Sequence, residues 1–176
     1  MTPITDDDLY RRYCSGNDRA FDQLYVRFKQ PIYNYVRKSV PSHRVEELFQ
    51  DVWLKVIASK TRYKDNGRFR QWLFTCAHHL IVDEYRRASK VDEVPFSDKA
   101  KVTNNTANES KTNLQRKIGM VLDLLPNEQR QAFYLRHELE CSIAEIAEIQ
   151  ACNPEAAKSR LRYAYSKIKI QLEDEI

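Results

Sequence analysis

Apolar side chains in this 176-residue chain recur three and four positions apart, and nowhere does a run of them alternate with polar residues. That periodicity belongs to helices that bury one face; a half-buried strand needs a repeat of two. Only three glycines and six prolines punctuate the chain, few for the turns of a sheet protein. These features predict an all-α fold. One such pattern follows the polar turn Asp65-Asn66-Gly67: Phe69, Trp72, Leu73, Cys76, Leu80 and Ile81 lay a single stripe along a helix.

Taken in order, the chain predicts two small helical domains joined by a flexible linker. Thr5 ahead of Asp6, Asp7 and Asp8 starts a first helix well, because acids favour the positive end of a helix dipole. Leu9, Tyr10 and Tyr13 are its expected buried side, and Gly16-Asn17 its stop. A second stripe (Phe21, Leu24, Tyr25, Phe28, Ile32, Val36) contains Pro31, where a kink is expected. A third helix is expected from about Arg44 to Ser59, with Leu48, Phe49, Val52, Trp53, Val56 and Ile57 inward and Glu46, Glu47, Gln50, Asp51 and Lys55 outward. With the helix after the Asp65 turn, these make a four-helix bundle over 1–88. Residues 89–113 are polar and carry no stripe, so they cannot bury enough apolar area to offset ordering and read as a linker.

A second domain is expected over 114–176. Leu114, Ile118, Val121, Leu122 and Leu125 restart a helix that ends before Pro126, and Ala132, Phe133, Leu135 and Leu139 mark the next. Ser142 with Glu145 three residues on is a capping-box pattern opening a short helix whose Ile143, Ile146 and Ala147 face inward. After a tight turn at 150–153, Pro154 opens a final helix through Leu172. Short helix, tight turn, longer helix is the helix-turn-helix arrangement, and Lys158, Ser159, Arg160 and Arg162 stand where a recognition helix meets DNA. An ordinary helical hairpin with a basic solvent face is the plainer alternative.

Charge is more informative by position than in sum, for the net value is only +4. From Lys60 to Lys90 there are eight Lys/Arg against three Asp/Glu, while Thr5–Asp8 and Glu46–Asp51 are acidic. Tyr63, Phe69 and Trp72 crowd the turn among Arg68, Arg70, Arg86 and Arg87. Cations hold phosphates and flat rings stack on unpaired bases, so the segment suits single-stranded nucleic acid. The bland alternative makes the rings core and the arginines a solvated face. Trp72, on the stripe, is expected to be mainly core.

Several classes are excluded on chemistry. The four cysteines form no CxxC pair, and no apolar run has signal-peptide or membrane length, which predicts a cytoplasmic chain with reduced thiols. Cys76, His78 and His79 make a poor metal site, because adjacent histidines on a helix point about 100° apart and a fourth ligand is missing. No glycine-rich phosphate loop or nucleophile–base pair is present, and Asp83-Glu84 sits beside Arg86 and Arg87 as an ion-paired group. Neither an enzyme nor a cofactor is expected.

The segments AFDQLYVRF, VEELFQDVWLKV, FRQWLFTCAHHLIVDEYRR, LLPNEQRQAFYLR and SIAEIAEIQACNPEAAKSRLRYA, in that order, resemble the extracytoplasmic-function group of bacterial RNA polymerase sigma factors. The resemblance spans nearly all of the chain outside the linker. It implies that Glu46, Glu47, Leu48, Gln50, Asp51 and Trp53 dock on core polymerase. It also implies that Tyr63, Lys64, Asp65, Asn66, Gly67, Arg68 and Phe69, with His79 and Asp83 on the following helix, read and melt the upstream edge of the transcription bubble. The linker would thread polymerase channels, and Glu155, Ala156, Lys158, Ser159, Arg160 and Arg162 would meet the upstream promoter box. Two departures stand out: His79 replaces the commoner asparagine, and Glu155-Ala156-Ala157 replaces glycine-threonine-valine. The implied partners are core RNA polymerase, promoter DNA and an anti-sigma factor, with no direct membrane insertion. The competing reading is a free-standing helix-turn-helix regulator, which needs a partner copy for a palindromic site and leaves the aromatic-basic turn without a purpose.

Overall fold

The structure, a computed structural model, describes residues 4–64, 66–92 and 113–173. Asp65 and most of the expected linker, 93–112, lie outside the described residues. Eight helices and no strand are found among the described residues: α1 (Asp6–Cys14), α2 (Asp18–Arg37), α3 (Ser42–Ala58), α4 (Phe69–Asp92), α5 (Asn113–Asp123), α6 (Asn127–His137), α7 (Ile143–Ile149) and α8 (Pro154–Glu173). They fall into two compact units, α1–α4 and α5–α8. The all-α, two-domain expectation holds.

In the first unit α1 packs on α2 and α4, and α2 on α4. Thr5 caps α1, its Oγ1 accepting from the Asp8 N–H at 3.1 Å. The Thr5 hydroxyl donates back to the Asp8 carboxylate, which holds that carboxyl below its ordinary range. Leu9, Tyr10 and Tyr13 are buried as expected, and the Tyr10 hydroxyl donates to the Val56 carbonyl at 3.0 Å, tying α1 to α3. Gly16, at φ +101°, makes the turn between α1 and α2, a conformation that glycine adopts without a Cβ penalty. Helix α2 runs through Pro31, α3 starts two residues earlier than expected, and α4 continues four residues past Ala88.

The buried face of α4 differs from the expected stripe. Phe69, Leu73 and Ile81 are buried as expected, but Phe74, Ala77 and His78 are also buried, while Trp72, Cys76 and Leu80 are half-buried. Helix α4 packs against both α1 and α2, and its buried residues span more than one stripe. His78 is accommodated by its Nδ1 at 3.3 Å from the Tyr35 hydroxyl, and burial pushes the Cys76 thiol up to about 11. In α3, Val45 joins the core and Ile57 is exposed.

A carboxylate from α1 completes the start of α4. The Phe69 backbone N–H donates to Asp7 Oδ1 at 2.8 Å, which satisfies one of the four N–H groups a helix start leaves unpaired. Asp7→Ala is expected to lower the stability of this unit by about 1 kcal/mol, the usual loss for a cap. Both tryptophans, Trp53 and Trp72, lie in this unit, so their fluorescence in a urea titration reads the shift directly.

In the second unit α5, α6 and α7 all pack on α8. Leu122, Leu125, Tyr134 and Ala164 form its core with Ile118, Phe133 and Ile168 against them, whereas Leu114 is exposed. Arg130 is buried; its guanidinium donates to the Asp123 carbonyl and to Asn127 Oδ1, each at 3.3 Å, and so closes the C-terminal end of α5. The Ser142–Glu145 capping box is present, at 3.2 and 2.7 Å. Asn153 Oδ1 accepts from the Ala156 N–H at 2.7 Å, capping α8 ahead of Pro154. Between α7 and α8 the chain reverses so tightly that Ala151 takes φ +49°, a left-handed conformation that costs an ordinary residue about 1 kcal/mol or more.

Candidate nucleic-acid interface

The chain leaves α3 through a turn in which the Arg62 and Tyr63 N–H groups both donate to the Ser59 carbonyl at 2.9 Å. Beyond it, Gly67 at φ +69° turns the chain into α4. A cavity of about 300 Å³ opens here, lined by Ser59, Arg62, Tyr63, Lys64, Asn66 and Trp72. That is at the small end of ligand pockets, which span roughly 300–1,000 Å³. Its wall combines two cationic side chains, Arg62 and Lys64, with two aromatic rings, Tyr63 and Trp72.

The rings do not contribute equally. Phe69 is 0% exposed: it stacks on Tyr10 at 4.6 Å and meets Phe28 at 5.9 Å, so it is core and presents no face to a base. The expectation that it meets DNA is corrected accordingly. Tyr63 is half-buried, edge-on to Tyr10 at 4.6 Å and to Trp72 at 5.2 Å, and reaches the cavity as part of its wall. Lys64, Asn66, Gly67 and Arg68 are exposed. Arg62 and Ser59 were missed as lining residues, although Arg62 belongs to the basic run that marks the segment. His79 and Asp83 are exposed on α4, where Asp83 pairs with Arg86 at 3.8 Å. His79 lies ten residues beyond Phe69, roughly 15 Å along the helix, and is not part of the cavity wall.

A second surface is the outer face of α3. Glu46, Glu47 and Gln50 are exposed and Asp51 is half-exposed, in agreement with the polar side read from sequence. Leu48 and Trp53 are buried, the latter packed on Tyr25 at 4.8 Å and Phe21 at 5.8 Å. These two hold the helix in place and do not face a partner, which corrects their expected role. Arg44 grips Glu84 of α4 at 2.7 Å and also bonds Glu47, while the Tyr33 hydroxyl donates to Glu46 at 3.0 Å. Leu54 and Ile57 stand exposed on the same helix, although the stripe placed Ile57 inward.

The third surface is the start of α8. Lys158 is exposed and bonds Glu155 at 2.7 Å, which keeps the Glu155 carboxyl below its usual range. Arg162 is exposed and donates to the half-buried Ser159 hydroxyl at 3.3 Å. Ala156 is half-buried and its N–H is used by the Asn153 cap. Tyr163, 61% exposed beside Arg162, was missed because its position in the i, i+4 pattern looks neutral. Arg160 behaves differently from its neighbours: its guanidinium turns back to Gln150 and Glu128 and does not face outward with Lys158 and Arg162.

Residues 24–91 match the family model for Sigma-70 region 2, and residues 100–168 match the model for Sigma-70, region 4. This chain belongs to the extracytoplasmic-function group of sigma factors. The sigma factor CarQ of Myxococcus xanthus is 28% identical to it over 160 residues, covering 90% of this sigma factor and 92% of CarQ. The ECF sigma-E factor of Escherichia coli K12 is 25% identical over 170 residues, covering 90% and 89%. In fold, this sigma factor is similar to RpoE of Bartonella quintana, solved in complex with the anti-sigma factor NepR, with a TM-score of 0.71, 22% identity and coverage of 87% and 96%. As a sigma factor it directs core RNA polymerase to specific promoters and helps to open them for initiation. No described helix is long and apolar enough to cross a membrane.

Proposed function

We propose that the three surfaces divide the work of initiation. The basic, aromatic-walled cavity at the head of α4 carries this reading: Lys64, Asn66, Gly67 and Arg68, with Arg62 and Tyr63, receive a base as it leaves the duplex, and cations around it hold the adjoining phosphates. His79 and Asp83 extend that contact along α4. Helix α3 docks on core polymerase through Glu46, Glu47, Gln50 and Asp51. Lys158, Ser159 and Arg162 at the start of α8, with Glu155 and Ala156 at its tip, meet the upstream box. Residues 1–88 thus dock and melt, 114–176 read, and 89–113 span between them.

The protein acts in the cytoplasm as a specificity subunit and catalyses nothing itself. An anti-sigma factor is its natural regulator, a reading supported by the similarity to RpoE, whose complex with NepR shows such pairing for that relative. Run-off transcription with core polymerase on genomic fragments tests the whole reading and recovers its promoters. Transcripts starting at defined sites are expected only when both proteins are present. Duplex binding by the chain alone, without transcription, would favour a free-standing regulator.

Docking has its own test. Asp51→Arg reverses a charge on the outer face of α3 and is expected to alter folding stability by no more than about half a kcal/mol, as surface changes do. In a titration against core polymerase it should weaken binding by about tenfold or more, because like or mismatched charges at a contact are costly. Unchanged affinity would place docking on another face.

A further inference from the structure

Arg160 of α8 closes a ring of hydrogen bonds with two elements outside its own helix. One guanidinium nitrogen donates to Gln150 Oε1 at 2.9 Å, and another to Glu128 Oε2 at 2.6 Å. Gln150 in turn donates through Nε2 to the Glu128 carbonyl at 3.0 Å. Gln150 is only 5% exposed, and the Arg160 side chain 19%. Helix α6, the turn before α8, and α8 itself are therefore pinned by one planar fork, whose rigid spacing suits two acceptors at once.

We infer that Arg160 is a positioning residue, which with Glu128 and Gln150 fixes the roll of α8 about its axis and so decides which side chains reach the DNA, while none of the three touches it. The inference rests on the reading of α8 as the upstream-box helix. Lys158 and Arg162 stand on the exposed side of α8; Arg160 spends its donors within the domain. A roll of about 20° moves side-chain ends on a helix of roughly 5–6 Å radius by about 2 Å. Base-edge hydrogen bonds tolerate only a few tenths of an ångström, so such a roll abolishes them.

Glu128→Ala gives a test whose sign separates the possibilities. Holoenzyme containing the full chain is titrated onto a duplex promoter fragment recovered by run-off transcription, at several salt concentrations. If Arg160 positions the helix, Glu128→Ala weakens binding by about tenfold, the weight of one charge-assisted hydrogen bond. The slope of log K against log salt stays unchanged, since no phosphate contact is lost. If Arg160 contacts DNA directly, removing Glu128 takes away a nearby negative charge and releases the guanidinium, so binding stays equal or tightens, and the inference is overturned. Exchanging the pair, Glu128→Arg with Arg160→Glu, is expected to bind at least several-fold better than Arg160→Glu alone; no recovery counts against a positioning role. Arg162→Ala is the control, expected to weaken binding with a slope smaller by about one. If Arg162→Ala and Lys158→Ala both leave affinity and slope unchanged, the reading of α8 itself has failed, separately from the role of Arg160.

Discussion

A chain carrying Lys64→Ala, Asn66→Ala and Arg68→Ala is expected to bind core polymerase as tightly as the parent and to open promoters less well, by about fivefold or more. Capturing one unpaired base returns about 1–3 kcal/mol, so loss of one capture corresponds to a drop in open complex of roughly fivefold to 150-fold. All three side chains are exposed and lie at or next to the cavity wall, so the fold should survive the change. Permanganate footprinting reads strand opening directly. A template with a permanently unpaired bubble should recover much of the lost transcription, because the melting step has been removed from the balance. Normal permanganate reactivity on the duplex template would show that this turn does not melt DNA.

Phe69→Ala is expected to have the opposite profile, with a large loss of stability. Its ring is fully buried among Tyr10, Phe28, Tyr63 and Trp72, and truncating such a phenylalanine costs about 3–5 kcal/mol. The residue sits at the first position of α4 and packs behind Tyr63 and Trp72, which line the cavity, so both would lose support as well. Tryptophan fluorescence during urea unfolding should show an early transition for the α1–α4 unit. A loss below about 1 kcal/mol would mean that the ring is not packed as described. Together the two variants separate residues proposed to meet DNA from those that shape the surface.

Much of this architecture is legible in the chain because helices carry their signals locally. Thr5 and its aspartates, the Ser142–Glu145 box and the Pro154 start all lie within one turn of the ends they set. What escapes sequence reading depends on partners far away. The stripe on α4 suggests one buried face, but in the packed unit Phe74, Ala77 and His78 are buried as well. The basic start of α8 reads as four equivalent contacts, yet Arg160 is claimed by a glutamate 32 residues earlier, for which no spacing rule exists. Trp53 and Phe69 lie on the apolar stripes of their helices and are core as those stripes predict; the resemblance gave them surface roles that their burial does not allow.

The Asp7 carboxylate on the Phe69 N–H joins positions 62 residues apart, and this bears on how relatives can be recombined. Chimeras that exchange the α3–α4 segment between sigma factors to transplant promoter preference would sever the acceptor from its donor. Such a graft would inherit a loosened helix start and open DNA poorly for a reason unrelated to base recognition. Carrying α1 together with α4 keeps the pair intact. The surface proposed to melt DNA thus depends on a discontinuous pair of segments, and a truncation that removes Asp7 is expected to loosen the start of α4.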